Sequence, residues 1–247
     1  MIYDDIKIQL ESLKFKGMLQ SFNDVVTLQK EQQWPQLFLH LLKNEESYRK
    51  TRSFMYRLDL AKLPQIKSLD NFEVKNLPIN TKTLANVSTM KFIEEHHNVF
   101  IIGESGTGKT HLAIGLANLA LHNNYRIRFY KLVELARDLM TAQAHNHTAI
   151  FMARLQRFNL ICIDEFGYLQ IDPKVGPLLF ELFSNLYEKV SIIIATHLAF
   201  DEWVDIFGNM KITKIIIDRF THHCSVLETG KVSWRLKEGK NKKQTPT

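Results

Sequence analysis

The 247-residue chain is poor in cysteine. Cys162 and Cys224 are its two cysteines, and neither belongs to a C-x-x-C pair. That excludes a disulfide framework and points to two reduced thiols in a reducing compartment. Long apolar runs are also missing. No uncharged stretch approaches the roughly 20 residues that a helix needs to span a bilayer, so no membrane partner is expected. No apolar segment follows a basic patch near Met1, as a signal peptide requires, and a cytoplasmic location is expected. Helix breakers are scarce at the start of the chain: Pro35 is the one proline before Pro64, and Gly17 the one glycine before Gly103. Acidic residues are outnumbered by basic ones, giving a formal net charge of +6 and a pI near 9.2. This balance suits a nucleic-acid surface but does not by itself require one.

With few breakers, helical periodicity dominates the first part. Apolar residues recur three or four apart at Ile6, Leu10 and Leu13, then at Met18, Phe22 and Val25. A second helix is expected over Pro35–Leu42 and a third over Glu45–Lys62. The third carries Arg49, Lys50, Arg52, Arg57 and Lys62, which form either a solvated face or a stripe that neutralises DNA phosphates without reading bases. Residues 1–63 thus read as a small all-helical domain. Residues 64–80, flanked by Pro64 and Pro78, read as a linker.

Beyond residue 80 the pattern changes. Short apolar runs at Val99–Ile102, Ile127–Tyr130, Leu160–Ile163, Ile192–Ala195 and Ser225–Leu227 alternate with longer amphipathic stretches such as His111–His122 and Val133–Ala142. Such alternation implies an α/β domain over residues 81–236, with a parallel sheet covered by helices on both faces. The Lys-rich segment 237–247 reads as a disordered tail.

Two motifs carry chemistry. The first is Gly103-Glu104-Ser105-Gly106-Thr107-Gly108-Lys109-Thr110, a G-x-x-x-x-G-K-[ST] phosphate loop with a strand before it and a helix after it. Its glycines let backbone N–H groups curl towards phosphate oxygens, and the helix adds its positive end. Lys109 reaches the β- and γ-phosphates, and the Thr110 hydroxyl ligates Mg²⁺. The second is the apolar strand Leu160-Ile161-Cys162-Ile163 ending in Asp164-Glu165. The C-terminal ends of strands face the ligand in open α/β sheets. Asp164 is therefore expected to hold Mg²⁺, and Glu165 to polarise an attacking water. The expected cofactors are ATP and Mg²⁺, and the expected activity is ATP hydrolysis. A nucleotide kinase would share the loop but has no need of the acidic pair.

Further on, the fourth strand ends in Thr196-His197, and Asp218-Arg219 and Ser233-Trp234-Arg235 follow. An Asp-Arg pair is either a surface ion pair or part of an arginine finger, and the pattern alone leaves both open. Cys162 reads as core packing. His222-His223-Cys224 has no second ligand pair at zinc spacing and reads as ordinary polar loop residues beside a buried thiol.

Taken together, these residues resemble the AAA+ ATPases of the IstB/DnaC group, and more closely the IstB-like helper proteins of insertion-sequence transposons. The resemblance rests on Gly108-Lys109-Thr110-His111-Leu112-Ala113, on Asp164-Glu165 with Phe166-Gly167-Tyr168, and on Leu198 to Trp203. It also rests on Leu13 to Met18 and Lys67 to Phe72. It implies strand order 5-1-4-3-2 and a nucleotide site including His111. It further implies Arg219 as a finger acting in trans within an ATP-dependent homo-oligomer, and Arg235 as a nucleotide sensor. The implied partners are double-stranded DNA and a cognate transposase, with a DnaC-like helicase loader as the alternative. Thr196 and His197 fall at the sensor position, where the group carries a small amide. His197 departs from that pattern, since an imidazole titrates near neutral pH.

Overall fold

The structure, a computed structural model, describes residues 2–27, 34–69, 72, 78–168, 172 and 174–231. The chain divides into two compact units, Met1–Tyr56 and Arg57–Thr247.

The described part of the first unit is helical. Helix α1 spans Ile2–Ser12 and α2 spans Lys16–Thr27. The expected second and third helices are one continuous helix, α3, over Trp34–Ala61. Nothing between Leu42 and Glu45 breaks it: Lys43 and Asn44 are neither proline nor glycine, and the i→i−4 ladder runs through them. Met18, Phe22 and Val25 form the buried stripe of α2. Its N-terminus is capped by a side chain from α3. The Glu45 carboxylate accepts from the backbone N–H groups of Gly17 at 2.7 Å and Met18 at 3.2 Å, which satisfies donors a helix start leaves orphaned. Desolvation works to raise the Glu45 carboxyl, but the Arg49 guanidinium and those two N–H groups hold it below its ordinary value. Gly17 is required by this crossing, because a Cβ there would meet Tyr48 Cβ at 2.6 Å and Asn44 O at 2.7 Å.

The unit boundary falls at Tyr56/Arg57, earlier than the expected residue 63. The physical reason is burial. Ala61 is fully enclosed, and Arg57 Nη2 donates to Asn124 Oδ1 at 2.7 Å, so the last turn of α3 belongs to the second unit.

The second unit continues with α4 (Thr81–Ser88) and α5 (Lys91–Glu94) and then alternates. Its strands are β1 (Asn98–Gly103), β2 (Ile127–Lys131), β3 (Leu160–Phe166), β4 (Ser191–Thr196) and β5 (Cys224–Gly230). Each covers the expected apolar run and extends slightly beyond it. All pairings are parallel, in the order β2-β3-β4-β1-β5, which read from the other edge is the expected 5-1-4-3-2. The helices between them are α6 (Lys109–His122), α7 (Leu132–Ala144), α8 (Thr148–Leu155) and α9 (Val175–Leu186). A 3-10 turn (Phe200–Trp203), α10 (Val204–Phe207) and α11 (Met210–His222) precede β5.

β1 lies between β4 and β5, and Val99, Phe100 and Ile101 are fully buried. α6 contacts β1, β2, β3 and β4, and Leu112, Ile114 and Leu116 on it are fully enclosed. Each such aliphatic side chain contributes about 1.5–3 kcal/mol on burial. Among the residues of a larger apolar cluster are Phe100, Ile161, Leu179, Phe183, Ile194 and Trp203. With α6 anchored to four strands, the loop joining β1 to α6 is fixed beside the C-terminal end of β3. No helix among the described residues is long and apolar enough to cross a membrane.

Candidate functional site

The β1–α6 loop is curled by left-handed glycines, with φ of 80° at Gly106 and 98° at Gly108. Only glycine adopts this conformation without penalty. Lys109, the first residue of α6, is almost fully buried. Its Nζ donates to Gly103 O at 2.7 Å and to Glu104 O at 2.8 Å, so the ammonium lies folded across its own loop. A buried ammonium needs such acceptors, and carbonyls can hold it until a stronger anionic acceptor arrives.

Ser105, Gly106, Gly108, Lys109, Thr110 and His111 line a cleft of about 380 Å³, and Asp164 and Glu165 face it from β3. Asp164 is 3% exposed. Burial pushes its carboxyl above the ordinary value, and a hydrogen bond from the Thr110 hydroxyl pulls in the opposite direction. The two residues expected to share a magnesium ion are therefore already in contact. A buried carboxylate beside a hydroxyl is an oxygen donor pair that suits a hard divalent cation. Cys162, two residues earlier on β3, is fully buried, and its thiol is pushed far up by desolvation, in keeping with a packing role.

Glu165 sits at a break in the β3–β4 register, between Ile163 and Phe166, and has φ of 55°. A non-glycine residue held there costs of order 1–3 kcal/mol and must be stabilised by its surroundings. The bulge turns Glu165 out of the ladder, and its Oε1 accepts from Lys131 Nζ at 2.8 Å. Lys131 ends β2, in register with Asp164. The ion pair to Glu165 raises the Lys131 pKa above the ordinary lysine value. Sequence reading missed Lys131, since only the strand pairing brings it to Glu165. It also missed Gln65, Lys67 and Tyr168, which line the cleft. The Lys109 ammonium lies 5.8 Å from the Tyr168 ring centroid.

Other expected residues sit differently. Thr196 is fully buried, and its hydroxyl donates to Phe166 O at 2.8 Å while accepting from Leu198 N at 3.0 Å. It ties the ends of β3 and β4 together. His197 packs its ring on Tyr168, centroids 4.4 Å apart, and its buried Nδ1 has no hydrogen-bond partner among the described residues. Arg219, on α11, does not line the cleft. It donates to Ser184 Oγ at 2.7 Å, with its guanidinium 5.8 Å from the Tyr187 ring centroid. Arg235 and the segment 237–247 lie outside the described residues.

The basic residues of α3 separate into two groups. Arg49, Lys50, Arg52 and Lys62 are exposed. Three of them are matched by acids within one turn: Arg49 by Glu45, Lys50 by Glu46 and Lys62 by Asp59. Arg57 is buried and engaged with Asn124, so it is withdrawn from the expected DNA stripe by its packing.

Comparison with known proteins agrees with this geometry. The chain is 30% identical over 239 residues to the ATP-binding protein named for insertion sequence IS232 of Bacillus thuringiensis subsp. berliner, covering 96% of each. It is 31% identical over 237 residues to the one named for IS21 of Pseudomonas aeruginosa, covering 95% of this chain and 89% of the relative. Among solved structures it shares its fold with AMPPCP-bound DnaA from Aquifex aeolicus (TM-score 0.53, 22% identity), covering 68% of this chain and about half (51%) of that one. It shares it also with a DnaC helicase loader (TM-score 0.52, 18% identity), covering 65% of this chain and 95% of that one. The profile of the family described as IstB-like ATP binding protein matches residues 8–243, and the chain belongs to that family.

Proposed function

We propose that the chain is an ATP-hydrolysing switch: ATP assembles it into a homo-oligomer on double-stranded DNA, and that DNA-bound state stimulates a cognate transposase. The observation that carries this reading is the meeting of Lys109, the Thr110–Asp164 pair and Glu165 around one cleft. Left-handed Gly106 and Gly108 turn the loop's N–H groups inward for phosphate oxygens. Lys109 exchanges the carbonyls of Gly103 and Glu104 for β- and γ-phosphate oxygens. Thr110 and Asp164 hold Mg²⁺, which when bound neutralises charge on those oxygens. Glu165 orients a water towards the γ-phosphorus and takes its proton, while the bond from that phosphorus to the β–γ bridging oxygen breaks and ADP leaves with that oxygen. Arg219 reaches the γ-phosphate bound by a neighbouring copy, and Arg235 contacts nucleotide within its own subunit. His197 occupies the sensor position.

The first helical unit supplies DNA and oligomer contacts, with Arg49, Lys50 and Arg52 touching phosphates, and Lys62 of the second unit touches phosphate as well. Three of these four side chains are matched locally by acids, so each binds weakly on its own, and DNA binding is sequence-tolerant and steeply salt-dependent. Relatives named for insertion sequences support transposition as the context, in the cytoplasm, where DNA and transposase meet.

The test is the ATPase rate with and without duplex DNA, paired with sizing in a non-hydrolysable ATP analogue. Duplex-stimulated turnover and an analogue-dependent oligomer are expected. A rate indifferent to DNA together with a monomer in every nucleotide state contradicts the proposal. Stimulation by single strands alone transfers the reading to a helicase loader.

A further inference from the structure

The phosphate loop is held from a direction that its own motif does not specify. β5 is the edge strand beside β1, and the pairing shifts register between Ile102 and Gly103, so that Gly103 lies opposite Gly230. At that shift the first turn of the loop hangs on the end of β5. Glu104 N donates to Gly230 O at 3.0 Å. The Thr107 and Thr229 hydroxyl oxygens are 2.6 Å apart, and both residues are fully buried. A Cβ at Gly103 would overlap the Thr229 hydroxyl oxygen. The first glycine of the loop is thus required by the approach of Thr229, since its φ is not positive.

The hydroxyl pair has two ways to share its protons. Thr229 can donate to Thr107, which then donates to Glu104 O at 2.8 Å. Alternatively Thr107 donates to Thr229, which then donates to Ile102 O at the longer 3.3 Å. Glu104 O also accepts from Lys109 Nζ at 2.8 Å. When Lys109 turns to a phosphate, that carbonyl loses its charged donor and keeps only the long bond from Thr107 N at 3.4 Å, and a poorly satisfied acceptor is costly. The first proton arrangement supplies the replacement: Thr107 holds Glu104 O, and Thr229 holds Thr107.

We infer that Thr229, at the far end of the chain's last described strand, is a positioning residue for nucleotide binding: its hydroxyl, through Thr107, keeps the phosphate loop in its binding shape once Lys109 has left the loop carbonyls. The inference rests on the ATP site proposed above and goes beyond its motif residues. It also makes the end of β5, from which the chain runs on towards Arg235, mechanically continuous with the phosphate loop.

The experiment is calorimetric titration of the full-length chain with a non-hydrolysable ATP analogue and Mg²⁺, using wild type, T229V, T229S, T107V and the T107V/T229V double variant. Thermal melts check that each is folded. T229V keeps shape and loses the hydroxyl, so affinity is expected to fall about tenfold, equivalent to about 1.4 kcal/mol. T229S restores the donor and is expected to bind within about twofold of wild type. T107V is expected to match T229V, and the double variant to be no weaker than the weaker single, because the two hydroxyls act as one unit. Wild-type affinity in folded T229V overturns the inference. So does T229S as weak as T229V, which would make the effect one of packing, and so do fully additive losses in the double variant. An inert wild type instead removes the ATP site itself, and this inference with it.

Discussion

Lys131 Nζ lies 2.8 Å from Glu165 Oε1, joining the end of β2 to the one acidic residue at the cleft with a left-handed backbone. Both side chains keep over a third of their surface in water. An ion pair so exposed contributes about 0–1 kcal/mol, so it orients Glu165 more than it stabilises the fold. While it persists, one Glu165 carboxylate oxygen is occupied by the Lys131 ammonium and is not free to receive a water. K131M is therefore expected to raise DNA-independent ATP turnover by about two- to fivefold, with melting temperature almost unchanged. A steady-state phosphate-release assay reads the outcome, and a fall in turnover would mean that Lys131 holds Glu165 in its productive pose.

Asp164 illustrates a site that costs stability. Burial raises its carboxyl above the ordinary value, so the folded chain takes up this proton at higher pH than the unfolded chain does. Keeping the ionised form buried therefore opposes folding at neutral pH. That cost disappears as pH falls through the folded-state pKa, where the group becomes neutral. D164N is expected to melt higher than wild type at pH 7 without nucleotide, with the difference shrinking as pH drops towards 4. The same variant is expected to lose hydrolysis by about 100-fold or more. Thermal melts across pH, with ATPase rates alongside, check both halves.

Arg219, tethered to Ser184, lies away from its own cleft. If its guanidinium serves a neighbouring copy, R219A and E165Q are each inactive alone but form one intact site when mixed. The mixture is expected to recover about a quarter of wild-type turnover at oligomer-forming concentration, by random pairing of subunits across each site. A mixture as inactive as its parents places the finger elsewhere.

Gly17 sets the packing of the first unit. G17A would press a methyl group onto Tyr48 Cβ and Asn44 O, and would displace the two N–H groups that Glu45 accepts. Overpacking of this kind costs about 1–3 kcal/mol. A lower melting transition is expected, with nucleotide affinity retained because the ATP cleft belongs to the second unit. Calorimetric melting and nucleotide titration on one sample separate the two effects.

What could be read from the sequence was local. The inner strands β1, β3 and β4 show as apolar runs because parallel strands inside a sheet are buried on both faces, whereas edge strand β5 exposes Val226 and shows as a shorter run. The phosphate loop shows because its glycines, lysine and threonine are contiguous. Strand order was reached through resemblance, since no local pattern encodes it. The break expected between Leu42 and Glu45 does not exist, because a change from apolar to charged residues alters which face is wet without ending a helix. Arg57 was placed among DNA-facing cations because nothing near it shows that Asn124, 67 residues further on, accepts its guanidinium. Lys131 with Glu165 and Thr107 with Thr229 were equally hidden: each pair is made by strand register, which only the folded sheet sets.

The central claim is that Lys109 exchanges its loop carbonyls for the phosphates of a bound nucleotide. The most direct measurement is calorimetric titration of Mg·ATP analogue into wild type and K109A. Wild type is expected to bind, and K109A to bind at least about tenfold more weakly, the loss anticipated for charge-assisted hydrogen bonds. Equal affinity in the two proteins, or no binding by wild type, would contradict the account.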